Sequence, residues 1–187
     1  MGTGKSTARK QLQSLGFQAI DADEISHRLS QPGEQAYTKI VSHFGKSILD
    51  HDQCINRKRL GALVFSDSAQ KTVLEGILHP LIQQEVQAQR RIFESRGEKI
   101  CFYDVPLLFE KNLVSQFDRT VLIWCDPKSQ LQRLLKRDRL PPQEIEQRLK
   151  NQWPIIDKVK KADFCIDNSG DQEDLARQLE KLIHKLV

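Results

Sequence analysis

Six consecutive residues near the start of the chain, Gly2-Thr3-Gly4-Lys5-Ser6-Thr7, have the types and order needed to hold a chain of phosphates. Glycines let backbone N–H groups converge on an anion without Cβ clashes. A lysine can reach β- and γ-phosphates, and the hydroxyl after it can hold Mg2+. A helix that begins here adds its positive N-terminal end. Gly4-Lys5-Ser6 supplies the second half of G-x-x-x-x-G-K-[ST], and the first glycine of that pattern would fall before Met1. A glycine-rich start to an ordinary helix would look the same, so the stretch needs support from the rest of the chain. Asp104 is the second group of interest. It closes the apolar run Ile100–Tyr103, where phosphate-loop proteins often hold a magnesium-binding acid. A solvated strand-end carboxylate is the plain alternative.

The elements that must position these groups alternate. Lys5–Leu15 reads as a helix stopped by Gly16, a residue free to take the left-handed cap conformation. Phe17–Ile20 is a short apolar run. A helical region follows, broken at Pro32-Gly33 and again around His51–Asn56. The spacing of Val73, Ile77, Leu81 and Ile82 predicts one long helix over Ser68–Arg96, with Pro80 set inside it. Compact runs at Ile100–Tyr103, Thr120–Cys125 and Phe164–Ile166 read as strands. Helical stretches lie between the last two, and an amphipathic helix carrying Leu175, Leu179, Leu182, Ile183 and Leu186 closes the chain. Short apolar strands separated by helices predict an α/β fold with a parallel sheet covered on both faces. That context favours the phosphate-loop reading of Gly2–Thr7.

Composition narrows the field further. A chain of 187 residues suits one domain. With 39% hydrophobic and 29% charged residues, wholesale disorder is excluded. The 29 Lys+Arg against 25 Asp+Glu leave a net charge of +4, too small to indicate a nucleic-acid partner. The basic residues are interleaved with acids, as over Arg133–Glu146, and form no stripe. No apolar run approaches the ~18 residues of a membrane span, and no secretory leader is visible, so a soluble, cytoplasmic protein is expected. Cys54, Cys101, Cys125 and Cys165 show no metal-ligand spacing. Cys101, Cys125 and Cys165 sit in strand-like runs and are expected to be buried thiols.

Beyond the loop, several segments recur in a telling order: Ile20-Asp21-Ala22-Asp23, Leu78-His79-Pro80-Leu81-Ile82, and Asp104-Val105-Pro106-Leu107-Leu108-Phe109-Glu110. Arg133…Arg137-Asp138, Arg148 with Gln152, and Ala162-Asp163…Ile166-Asp167-Asn168 follow. Together they resemble the dephospho-CoA kinase family over nearly the whole chain. The resemblance implies transfer of the ATP γ-phosphoryl group to the ribose 3′-hydroxyl of dephospho-CoA, with Mg2+. It also implies a three-layer phosphate-loop kinase domain over 1–187, a helical substrate-binding segment over about 30–95 and a lid over about 137–160. A monomer or weak homo-oligomer acting on a small molecule, with no nucleic acid and no membrane, is expected. Another small-metabolite or nucleoside-monophosphate kinase is the neighbouring reading. A catalytically dead nucleotide-binding remnant is the reading from another class.

Residue roles follow on this basis. Gly2, Thr3, Gly4, Lys5, Ser6 and Thr7 are expected to bind ATP, with Lys5 neutralising phosphate charge and Ser6 as a metal ligand; Asp104 is a second candidate ligand, one the resemblance does not require. Thr7 either contacts the α-phosphate or caps the helix. Asp23 matches the family's functional aspartate and is the candidate to orient and deprotonate the attacking hydroxyl. An N-cap for a helix starting at Glu24 is its alternative role, for which Asp21 competes. The resemblance places His79 and Pro80 against the acceptor, along with Leu107, although Pro80 would also explain a simple kink. Arg137 and Arg148 best match the family's lid arginines. A Glu144–Arg148 surface pair is the plain alternative for Arg148. Asn168 follows the last strand, where this fold places the adenine. Since the strand before the phosphate loop is central in such folds, about ten residues, an apolar strand and a turn, are expected upstream of Met1.

Overall fold

The computed structural model describes residues 1–187 except 106, 139, 140, 151 and 187, and the side chains of 138 and 148. It has the α/β architecture expected, resolved into two compact units: residues 1–19 with 104–187, and residues 20–103.

In the first unit, helix α1 (Lys5–Ser14) buries Ala8 and Leu12, one turn apart on one face. It stops as its sequence requires. Gly16 takes φ 93°, its N–H bonds Gln13 O at 3.0 Å, and Phe17 N bonds Leu12 O at 3.1 Å. This is the paired closure that a left-handed glycine permits. Strands β3 (Val121–Trp124) and β4 (Phe164–Asp167) run parallel, with Val121 opposite Phe164 and Trp124 opposite Asp167. The closing helix α9 (Gln172–Leu186) buries Leu175, Leu179 and Leu182 and packs on β4 and α1. Helices α6 (Pro127–Asp138) and α7 (Pro142–Lys150) pack as a pair, and the short α8 (Ile155–Val159) lies on β3.

The second unit is mainly helical. Strands β1 (Gln18–Asp21) and β2 (Cys101–Asp104) form a separate two-stranded sheet. Helices α2 (Ala22–Leu29), α3 (Gln35–Phe44) and α4 (Arg57–Ser66) all pack on α5 (Ser68–Ser95). Ile20, Ile25, Ile40, Ile48, Leu81 and Val86 lie at the centre of their shared core. Each such side chain contributes about 1.5–3 kcal/mol on burial. Helix α5 continues past Pro80 without a break. The carbonyl that loses its donor there belongs to Gly76, four residues earlier, where an added Cβ would meet nothing within 4 Å.

One expectation fails. Cys125 is buried, but Cys101 and Cys165 are exposed. On β4 the burial alternates, with Ile166 inside and Cys165 outside, as in a strand covered on one face only. Cys101 opens β2, and burial is reached only at Asp104. All four cysteines are free thiols.

Candidate active site

The start of α1, like those of α3 and α8 and unlike those of α2, α4 and α5, carries no side-chain cap. Asp21 caps α2, Asn56 caps α4 and Asp67 caps α5, each accepting backbone N–H groups. No described side chain caps α1; its N-cap is Gly4 in the left-handed region, φ 90°. This leaves the positive end of the helix to whatever anion arrives. Gly2 is also left-handed, at φ 69°. A Cβ at Gly4 would stand 1.8 Å from Asn168 Nδ2, and one at Gly2 would stand 2.7 Å from Leu134 Cγ. A side chain at either position would be strained by its φ and would force Asn168 or Leu134 to move.

Asn168 is the brace of this loop. It is 6% exposed, its backbone N–H extends the β3–β4 ladder to Trp124 O at 2.7 Å, and its Nδ2 donates to Thr3 O at 2.8 Å. Its amide is therefore turned toward the loop backbone. Gln130 on α6 adds a second tie, from Nε2 to Met1 O at 2.6 Å.

Lys5 and the buried Asp104 form an ion pair, and Arg9 Nε lies 3.7 Å from the other carboxylate oxygen. Ser6 and Thr7 are exposed on the first turn of α1. Hydroxyl and carboxylate oxygens are the hard donors that Mg2+ prefers, so Ser6 and Asp104 fit that ion chemically. Arg133 Nη1 lies 3.7 Å from the position of a Gly4 Cβ and is buried without a hydrogen-bond partner. Arg137 is exposed near the end of α6. Arg148 lies in α7, with its side chain outside the described residues.

Leu107 sits half-buried in the turn after β2, at φ 59°. Further along this turn is a group the sequence reading quoted but gave no role. Glu110 accepts from Lys158 Nζ at 2.6 Å and from Trp153 N–H at 3.1 Å. Burial pushes its carboxyl up, but bonds from Lys158, from its own N–H and from Trp153 outweigh that and hold it below its ordinary value. Its contribution to stability is therefore present above pH 4.5 and lost as pH falls through the lowered folded value. An acid directly after the apolar run Pro106–Phe109 is the available signal. Trp153 itself is 38% exposed, with Lys161 Nζ 4.8 Å above its ring.

In the unit of residues 20–103 the cap question is resolved. Helix α2 begins at Ala22, and Asp21 accepts from Asp23 N at 2.8 Å and Glu24 N at 3.1 Å. Asp23 is not the cap, and its carboxylate is exposed. The phenol of Tyr103, pushed up by burial and then by Asp21 and Asp23, stays protonated near these acids. His79 and Pro80 are exposed on α5, the helix on which α2 packs, and Arg28 of α2 pairs with Glu85 of α5 at 2.8 Å.

An uncapped helix preceded by a glycine loop, with a lysine, a hydroxyl and a buried acid beside it, defines a phosphate-loop kinase site. The sequence profile of the dephospho-CoA kinase family matches residues 1–174. Similar proteins include a dephospho-CoA kinase of Halalkalibacterium halodurans, 36% identical over 99% of this chain and 92% of its own length. A dephospho-CoA kinase domain-containing protein of Danio rerio is 40% identical over 100% and 82%. Among solved structures, the dephospho-CoA kinase of Campylobacter jejuni is 31% identical with a TM-score of 0.71, covering 100% of this chain and 92% of its own. A Thermus thermophilus protein reaches a TM-score of 0.84 at 27% identity, covering 100% and 94%. The chain belongs to the dephospho-CoA kinase family.

Proposed function

We propose that the protein transfers the γ-phosphoryl group of ATP to the ribose 3′-hydroxyl of dephospho-CoA. The observation that carries this reading is the uncapped, left-handed start of α1 in a member of this family. Gly2–Thr7 hold the ATP phosphates through backbone N–H groups. Lys5 exchanges its carboxylate partner Asp104 for phosphate oxygens. Ser6 and Asp104 would hold Mg2+, which when bound offsets the negative charge of the phosphates. Arg133, Arg137 and Arg148 supply further positive charge, stabilising the charge that spreads over the transferring group. Asn168 holds the loop in shape and borders the adenine.

Asp23 orients the acceptor hydroxyl in line and takes its proton, a role open to it because Asp21 does the capping. Phosphoryl transfer asks for placement more than for strong basicity, so an ordinary carboxylate serves. The segment of about 30–95, with His79 and Pro80 as contacts, receives the acceptor together with Leu107, and about 137–160 acts as a lid. Free cysteines fit a reducing, cytoplasmic setting. No helix among the described residues is long and apolar enough to cross a membrane, and the acceptor is a small molecule rather than a nucleic acid. A monomer or weak homo-oligomer suffices for this chemistry.

The test is ADP release from ATP with and without dephospho-CoA. Release that depends on dephospho-CoA is expected. Release indifferent to it means an idle NTPase, release only with another acceptor means a different kinase, and no release means a dead remnant.

A further inference from the structure

The Glu110–Lys158 pair has no role in the chemistry described above, yet it is nearly buried. The two side chains are 12% and 13% exposed, and the ion pair is 2.6 Å long. It joins two segments far apart in the chain. One is the turn 107–112, where Leu107 and Asn112 hold left-handed conformations at φ 59° and 53°. The other is the stretch from Gln152 into α8, which leads out of the α6–α7 pair. Glu110 grips that stretch twice, through the Lys158 ammonium and the Trp153 backbone N–H.

We infer that Glu110 is a positioning residue for donor binding. By neutralising and fixing Lys158 and holding the Trp153 backbone, it anchors the trailing end of the arginine-bearing α6–α7 pair. It thereby sets where those guanidinium groups stand for the phosphates of ATP. This rests on the reading of α6–α7 as the phosphate-contacting arm. A shift of about 1 Å in such groups can cost on the order of 100-fold in rate. Glu110 itself touches no reacting atom in this account. Its loss should therefore appear in the handling of ATP and leave the acceptor's KM alone.

The test compares the whole protein with Glu110→Gln, Lys158→Met and the double variant Glu110→Gln/Lys158→Met. Single variants leave one buried partner without its mate and can lose folded protein for that reason alone. The double variant strands no charge, so it carries the decision. Expected in the double variant is an ATP KM raised about fivefold or more, or kcat lowered as much, with the dephospho-CoA KM within about twofold of wild type. Any smaller change in both ATP KM and kcat overturns the inference, even if the melting temperature falls, because the pair would then be structural only. An equal rise in both KM values overturns it too. The ATP KM can be read with whatever acceptor the wild type uses. A failure of the assignment to dephospho-CoA is seen in the wild type alone and remains distinct from a failure of the Glu110 inference.

Discussion

In the unit of residues 20–103, apolar side chains from α2, α3, α4 and α5 meet in a single cluster that includes Ile25, Ile40, Leu60 and Leu81. The phosphate-loop unit has its own apolar core, around Leu134, Leu175 and Leu179, but it also contains all three buried polar residues recorded among those described, Asp104, Thr120 and Asn168. Each of these has a specific partner. Asp104 pairs with Lys5, Thr120 with Asp163, and Asn168 with Thr3. The difference is one of tolerance. Apolar packing accepts volume-conserving changes at below about 1.5 kcal/mol. A buried polar group has few acceptable partners and fixes position along with stability. The unit that must hold phosphates to a fraction of an ångström is the one that contains the directional bonds.

That contrast can be broken at several points. The largest effect is expected for Lys5→Met, which removes the charge proposed to face the phosphates. Turnover at saturating substrates should fall by about 10²–10³, read as ADP release, while the fold persists because Arg9 still faces Asp104. A loss below tenfold would mean that Lys5 is mainly the counter-ion of Asp104.

Ile40→Ala should do the reverse. Ile40 is 1% exposed, so its truncation should cost about 2–5 kcal/mol in urea denaturation. Turnover per folded molecule should stay within about twofold of wild type. A kinetic loss as large as that of Lys5→Met would erase the distinction between the units.

Thr120→Val is the finest probe. Thr120 donates its backbone N–H and its hydroxyl to Asp163 Oδ2, both at 2.7 Å, and its hydroxyl accepts from Asp163 N at 3.1 Å. The Thr120 side-chain bond is the main reason the Asp163 carboxyl lies below its ordinary value, followed by the Thr120 backbone N–H. The stabilisation is present above pH 3.8 and is lost as pH falls through the folded value. Thr120→Val should lower the melting temperature less than Ile40→Ala does, and should flatten the acid limb of the stability profile. An unchanged acid limb would mean that the pair contributes nothing to stability.

How much could be read in the sequence follows from the range of each interaction. The i, i+4 faces of α1, α5 and α9, the stop at Gly16 and the passage of α5 through Pro80 are local, and the sequence carries them. The burial expected of Cys101 and Cys165 is not found: a four-residue strand is too short to show whether one face or two are covered. The ties from Asn168 to Thr3 and from Glu110 to Lys158 join distant segments, and no spacing rule links them. The competition between Asp21 and Asp23 for the cap was visible as a competition, but only the backbone could decide it. Arg133 drew less notice than Arg137 and Arg148, since nothing in a run of basic residues marks which one lies against Gly4.

Removal of the acceptor hydroxyl's proton is the role proposed for Asp23, and Asp23→Asn tests it with the helix cap left intact at Asp21. Two quantities should be measured on the same preparation: ATP affinity by calorimetry, and turnover with dephospho-CoA at saturation. Unchanged ATP affinity with turnover lower by about 10²–10⁴ is the predicted result. Near-normal turnover would contradict the account and leave Asp23 as a surface carboxylate on the first turn of α2.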